Sequence, residues 1–595
     1  MANKTPRICQ LETPFEKDTQ FSWQDYPRPQ LKRDSYISLC GVWQLAVKKY
    51  KVKVKQYSRF AGIAREYQTD DFEQTELGGI MVPYPPESRI SGVERPLGEN
   101  ETYLYTRQFT LTEEFINDKV LIHFGAVDTN TVVMVNGKLA GVHRGGYLPF
   151  SFDITELIAA GENTITVEVE DTLDIELAYG KQRKDRGGMW YTPISGIWQP
   201  VWLESVPENY IESIRLTPSL EDIAIEVKGG AEEKTVIISA ENGYITKVFS
   251  GEKVTIPIEN PQHWSPEKPY LYNFEIISGK DRVQSYFALR TVSIEDVKGQ
   301  KYICLNGKPY FFHGLLDQGY FADGIYTPFT PAGFVWDIVE MKKLGFNTLR
   351  KHIKIEPDLF YYYCDKYGML VFQDMMNAGK YNYIIDTVLP TIGMKKGVTH
   401  KPSPRRKEFF EKECRILTDI LYNHPSVVYY TIFNEGWGQY DADRIYKELK
   451  EYDPTRIWDA TSGWFIEKDS DVDSHHIYFR KIKIKARPSR PLILSEFGGF
   501  SWKVPDHSFN FDEEYGYKKF KSGEELTKGL CDMYCGDIVP AIRHGLNGAI
   551  LTQVSDVEDE TNGIATYDRQ VIKTDEKSMQ DMANKLFETF AQITE

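Results

Sequence analysis

From residue 100 to 205 apolar and polar residues alternate one by one, in runs such as TYLYTRQFTL, VLIHFGAV, TVVMVNGKLA and NTITVEVED, punctuated by Gly, Asn and Asp. Successive side chains of a strand point to opposite faces, so this pattern predicts antiparallel strands with one face buried. Asn136-Gly137, inside MVNGK, can supply the positive φ angles of a tight turn and predicts a hairpin. A second alternating stretch, 206–296, has shorter runs (IAIEVKG, KTVIISAE, KVTIPIE) and the length of one small immunoglobulin-like sandwich. Near 300 the pattern changes to apolar runs separated by amphipathic helices, among them PAGFVWDIVEMKKLG, PDLFYYYCDKYG, ADRIYKELKEY and a long one at 523–545. Eight strands are expected, at 310–315, 346–352, 369–375, 427–435, 456–462, 473–479, 491–499 and 548–557. Such repetition predicts a closed (β/α)8 barrel, and no glycine-rich phosphate turn follows an early strand to favour an open doubly wound sheet. The expected layout is a multidomain chain: an N-terminal jelly-roll β-sandwich (1–205), an immunoglobulin-like β-sandwich (206–296) and a C-terminal (β/α)8 TIM barrel (297–595).

Composition narrows the partners. The 37 Tyr and 11 Trp suit sugar stacking as well as core packing. A net charge of −15 repels phosphate backbones and anionic bilayers, which argues against nucleic acid and membranes. The opening MANKTPRICQLETPFEKD has no apolar run long enough for a secretion signal, so a cytoplasmic location is expected. The seven cysteines are odd in number and scattered, as reduced thiols would be. Cys531 and Cys535 can share a helix face, but no second pair or nearby His completes a zinc pattern. No metal or cofactor is expected, and self-association is left open.

Chemistry-bearing side chains fall at the C-terminal ends of the expected strands, where barrels carry their active sites. They are Asp317, Arg350, His352, Asp374, Asn434, Glu435, His476, Tyr478, Glu496, Gln553, Asp556 and Glu558. Glu435 and Glu496 each end an apolar run, on the fourth and seventh strands, which face each other across a barrel mouth. Glycoside hydrolysis needs such a pair, one carboxyl to protonate the leaving oxygen and one to attack or to activate water. Glu435 alone reads more simply as a strand-end carboxylate paired with a neighbouring Arg or Lys; the pair, with Asn434 before the first, favours the sugar chemistry. Arg350 and His352 share one side of their strand and Lys351 takes the other. Arg350 can bind sugar or neutralise carboxylates, and His476 can touch sugar or simply pack. Trp437 and Trp502, in loops after the two glutamates, can stack on a sugar or brace their loops. The long loops 376–402 and 500–522 are expected to shape the site.

FGAVD (124–128), VVMVNGKLAG (132–141), GGYLPFSFDIT (145–155) and GIWQPVWLE (196–204) are followed by HWSPEKPYLY (263–272) and FALRTV (287–292). NGKPYFFHG, GFNTLRKH, CDKYGMLVFQDM, NHPSVVYYTIFNEGWG and ILSEFGG come next, in order. In these motifs the chain resembles glycoside hydrolase family 2, the β-galactosidase, β-glucuronidase and β-mannosidase group. The resemblance implies a retaining exo-β-glycosidase acting on a small glycoside or oligosaccharide, with Glu435 as acid/base and Glu496 as nucleophile. It further implies that Asn434 donates to the sugar 2-hydroxyl, Tyr478 bonds the nucleophile, and Arg350, His352 and His476 lie nearby. The larger β-galactosidases of the family add further β domains after the barrel, and the metal ligands and subunit contacts of those forms are not expected here. Where the family's β-glucuronidases carry an Asn-x-Lys pair for the uronate, Ile564 stands in place of the Lys. A neutral sugar is therefore expected, of β-galactoside type, unless Lys503, Lys518 or Lys519 supplies the charge; mannose or a pentose stays open. Gln553, Asp556 and Glu558 replace the tryptophan common on the last strand and are expected to bind sugar hydroxyls. The alternative of another class is a carbohydrate-binding protein that has lost catalysis.

Overall fold

The computed structural model describes residues 8–17, 23–50, 72–116, 118–241, 243–391, 400–465, 467–478 and 480–595. The first seven residues of the segment read for a secretion signal, part of the 376–402 loop (392–399) and Phe479 of the sixth expected strand lie outside them.

Strand Gly161–Glu170 shows how alternation becomes a layer: Asn163, Ile165, Val167 and Val169 are buried while the residues between them are half-buried. It pairs with Glu101–Leu111 on one side and Asn130–Val135 on the other, inside a six-stranded antiparallel sheet. A four-stranded sheet of Tyr36–Ser38, Val201–Val206, Lys119–Phe124 and Phe150–Asp153 faces it. Side chains such as Trp43, Ile122, Val133 and Ile165 fill the space between. Asn136 and Gly137 turn the chain with φ of 50° and 76°, in the expected hairpin. The next module packs a three-stranded sheet on a four-stranded one around Ile225, Val236 and Phe274. The expected division at 296 falls inside a hairpin, Val292–Val297 with Gln300–Leu305, that leads into the barrel.

The barrel strands are β1 (Phe312–Asp317), β2 (Thr348–Lys351), β3 (Leu370–Asp374), β4 (Val427–Asn434), β5 (Ile457–Ser462), β6 (Asp473–Ile477), β7 (Leu492–Gly498) and β8 (Leu546–Thr552). All are parallel, in the order β5-β4-β3-β2-β1-β8-β7-β6, so among the described residues the ladder is continuous except at the β5–β6 seam. Every residue of β4 and β7 is buried, the reason both read as unbroken apolar runs. Inside the barrel Phe312, Leu316, Phe372, Tyr429, Ile493 and Ile550 form a packed floor, with Phe372 and Tyr429 stacked at 4.2 Å.

Helices cover the outside at Ala332–Lys343, Asp358–Tyr367, Pro404–Leu421, Ala442–Tyr452, Gly523–Met533 and Glu576–Thr594. Asp358–Tyr367 stops at Gly368, whose φ of 71° closes the cap and whose missing side chain lets Pro266 of the second module approach; an added Cβ would lie 2.5 Å from the Pro266 carbonyl oxygen. All seven cysteines are free thiols. Among the described residues no helix is long and apolar enough to cross a membrane.

Candidate active site

β2 sorts its side chains by parity. Arg350 points into the barrel and Lys351 points outward, where its Nζ lies 2.7 Å from Asp317 and 2.8 Å from Glu356. Asp317, expected among the sugar contacts, is register-paired with Lys351 and belongs to this outer ion cluster. The structure does not bring it to the mouth.

Arg350 is the hub of the interior. Its Nε donates to Asp374 Oδ1 at 3.0 Å, one terminal nitrogen donates to Glu496 Oε1 at 2.9 Å, and the other donates to Asn434 Oδ1 at 2.9 Å and Ser462 Oγ at 3.1 Å. One guanidinium thus ties together β2, β3, β4, β5 and β7. Because Asn434 Oδ1 also accepts from Ser462 at 3.0 Å, its amide orientation is fixed and Nδ2 is left to donate. His352 Nδ1 lies 2.7 Å from the other oxygen of Asp374.

β4 ends at Asn434, and Glu435 then adopts a φ of 51°, a left-handed conformation that costs energy for an L residue. Its Oε1 lies 2.8 Å from His476 Nδ1, while His476 Nε2 lies 3.2 Å from Arg350. A guanidinium can only donate, so Nε2 presents its lone pair and Nδ1 carries the hydrogen that Glu435 accepts. The same Nδ1 is 3.4 Å from Glu496 Oε2. Polar atoms of Glu435, His476 and Glu496 all lie within 4.8 Å of one another. That trio does not suit a metal ion: its imidazole nitrogen bears hydrogen and Arg350 already supplies the positive charge. The hydroxyl of Tyr478 donates to Glu496 Oε2 and sits 2.9 Å from Thr552.

Burial alone would raise the pKa of Glu496, but His476, Arg350, His352 and the Tyr478 hydroxyl outweigh it and hold the carboxyl well below its ordinary range. Asp374 shows the same balance: burial opposes ionisation, and Arg350 and His352 reverse it. Tyr478 is pushed well above the ordinary phenol range, by burial first and by the charge of Glu496 second, so it stays a donor.

A segment of the first sandwich, 171–195, lies across this mouth, and nothing in the sequence patterning pointed to it. Thr192 N donates to Glu558 at 2.9 Å, the Tyr191 hydroxyl donates to Glu560, and Arg186 lies 3.5 Å from Glu558. Trp190 packs against Trp437 at 5.5 Å and Tyr381 at 5.3 Å. Trp437 is buried and donates to Gly379 O at 2.7 Å, a carbonyl that Tyr179 of the sandwich also bonds at 2.8 Å. Trp437 therefore braces the loop after β3 against the sandwich. Trp502 packs beside Gly523, where an added Cβ would lie 3.0 Å from its ring.

The loop after β8 is knitted to itself. Gln553 donates to Asn562 at 2.8 Å, and Asp556 accepts from Lys573 at 2.7 Å and from Gly563 N at 2.8 Å. Burial raises Asp556 to about 6 despite Lys573. Ile564 lies in the barrel core, 2 % exposed. Lys503 donates to the carbonyls of Phe511 and Glu513, Lys518 lies over Phe500 and Phe520, and Lys519 pairs with Glu514 at 2.6 Å. Sequence reasoning also passed over Trp464, in SGWF just after β5. Its ring is 5.8 Å from His476 and its buried Nε1 has no partner among the described residues. Its place after a strand end was the signal available.

Two sandwiches feeding a barrel whose mouth holds facing carboxylates are the layout of a modular glycosidase. Family models agree along the chain: the sugar binding domain of glycosyl hydrolases family 2 matches residues 38–207, a second family 2 model matches 209–290, and the family 2 TIM barrel domain matches 295–578. The β-galactosidase of Thermoanaerobacter pseudethanolicus is 30% identical over 538 residues, covering 78% of this chain and 67% of that protein. The chain belongs to glycosyl hydrolase family 2. The β-galactosidase of Priestia megaterium is 24% identical over 548 residues, covering 83% of this chain but 51% of its own length. The chain thus spans about half the length of the first curated relatives it matches. Among solved structures, the β-D-glucuronidase of Dictyoglomus thermophilum superposes with a TM-score of 0.70 at 19% identity, covering 94% of this chain and 98% of that one. A GH2 β-galacturonidase from Eisenbergiella tayi gives 0.65 at 18%, covering 94% and 99%. At such identities the likeness is one of fold.

Proposed function

We propose that the protein is a retaining exo-β-glycosidase working by double displacement, with Glu496 as nucleophile and Glu435 as acid/base. The observation that carries this is the approach of the two carboxyl groups, with oxygens within 4.8 Å of one another beside His476. A retaining pair needs a separation of about 5–5.5 Å, whereas an inverting pair must leave room for a water between them. Glu496, kept ionised beside Arg350, attacks the anomeric carbon while Glu435 gives its proton to the glycosidic oxygen. The resulting glycosyl ester is hydrolysed when Glu435 takes a proton from the attacking water. Asn434 Nδ2 donates to the sugar 2-hydroxyl, a bond that strengthens as positive charge grows on the ring. The sandwich segment over the mouth supports action on a terminal sugar. Relatives named β-galactosidase favour a β-galactoside among neutral sugars. However, the expectation of neutrality rested on Ile564, and that side chain is in the core.

Proton NMR of nitrophenyl β-glycoside hydrolysis tests the reading, using a panel of galactoside, glucoside, mannoside, glucuronide, fucoside and arabinoside. The first-formed sugar should be the β-anomer; an α-anomer appearing first rules out the nucleophile role of Glu496.

A further inference from the structure

Lys181 stands in the segment that the sandwich lays over the barrel mouth. Its backbone is fixed, since its carbonyl accepts from Tyr191 N at 2.9 Å and the next residue, Gln182, is locked by Ile194 N at 2.6 Å and Tyr147 at 3.0 Å. The side chain is half-buried, with Nζ 5.7 Å from the centre of the Trp190 ring, which packs on Trp437 two residues beyond Glu435. Its charge acts on both His352 and Glu560, which reach the mouth from β2 and from the loop after β8.

Among the described residues this ammonium has no hydrogen-bond or ion-pair partner. The fully buried lysines of the barrel each have one: Lys351 with Asp317, Lys354 with Glu356 and Lys573 with Asp556. An ammonium to which no carboxylate or carbonyl of the protein is bound is available to an anionic group on the ligand, with which it makes a charge-assisted hydrogen bond. Glu560, the acid on that side, already accepts from Tyr191 and from Asn562 at 2.8 Å, and burial favours its neutral form, which limits its repulsion of a second carboxylate.

We infer that Lys181 is a specificity-determining residue that binds a carboxylate on the terminal sugar, so that β-linked uronic acids are the preferred substrates. The inference rests on the glycosidase reading above and reverses the neutral-sugar expectation. The cation that the barrel lacks at position 564 comes instead from the sandwich.

The test compares kcat/KM for nitrophenyl β-glucuronide and β-galacturonide with the matching glucoside and galactoside, in the native enzyme, Lys181→Met and Lys181→Arg. The native enzyme should prefer one uronide over its neutral counterpart by at least about tenfold, a charge-assisted contact being involved. Lys181→Met should lose at least about tenfold more on that uronide than on the neutral sugar, mainly through KM, and Lys181→Arg should restore most of the loss. A native preference for the neutral sugar, or equal losses on both sugars, overturns the inference. If the native enzyme cleaves none of these four but does cleave another glycoside of the panel, the inference falls alone; if it cleaves none of the panel, or Glu496→Gln cleaves as fast, the glycosidase reading itself falls.

Discussion

His476 offers Nδ1 to Glu435 at 2.8 Å and, through the opposite edge of the same ring, faces Arg350 at 3.2 Å. The proposed acid is thereby positioned by a side chain whose own orientation is set by the guanidinium serving the proposed nucleophile. Glu435→Gln should lose on the order of 10²–10⁴ in kcat/KM on an alkyl glycoside, where proton donation is essential. On a nitrophenyl glycoside, with a good leaving group, the loss should be far smaller. Steady-state kinetics on the two substrates decide it, and equal losses would reject Glu435 as the acid.

Glu496→Gln should fall by roughly 10⁴-fold or more on every substrate, because the attacking carboxylate is needed whatever the leaving group. A 2-fluoro glycoside with a good leaving group should leave a sugar-sized mass increment on the peptide containing Glu496. Finding that increment on another peptide would reassign the nucleophile.

Arg350→Met should cost about 3–5 kcal/mol, since two buried carboxylates would lose their shared cation. Asp374 and Glu496 both have folded pKa values below their unfolded ones. They therefore contribute stability that is present above about pH 4 and lost as the pH falls through the folded values. The gap in melting temperature between native protein and Arg350→Met should be largest near neutrality and narrow toward acid. A gap that is constant with pH would mean that the arginine acts by packing alone.

Trp190→Ala removes the ring that joins the sandwich segment to Trp437 and Tyr381, at a cost of about 3–5 kcal/mol if the gap does not close. Activity measured well below the melting point should also drop, although neither glutamate is touched. Full activity with a lowered melting point would show that the segment only stabilises.

The fold was legible because each layer leaves its own period: two in the sandwiches, and apolar runs such as VVYYTIFN and LILSEFG where β4 and β7 are buried on both faces. The pairing of Glu435 with Glu496 was legible for the same reason, as carboxylates that end such runs. Two kinds of error remained. Asp317 sits at a strand end like the others, yet one step of parity turns it outward to Lys351. Ile564 was compared with a lysine by position in the sequence, and the loop after β8 folds so that it enters the core. Lys181, Tyr191 and Trp190 could not be found by reading barrel strands, because they arrive from a module far away along the chain.

The covering of the barrel mouth by residues 171–195 gives the pocket two parents. A recombinant barrel fitted with a relative's sandwich would inherit that relative's rim along with its fold, and its taste in sugars would shift without any change to the carboxylates. On the proposed reading, selectivity would be rewritten from outside the barrel, by exchanging a segment that carries neither of the two glutamates.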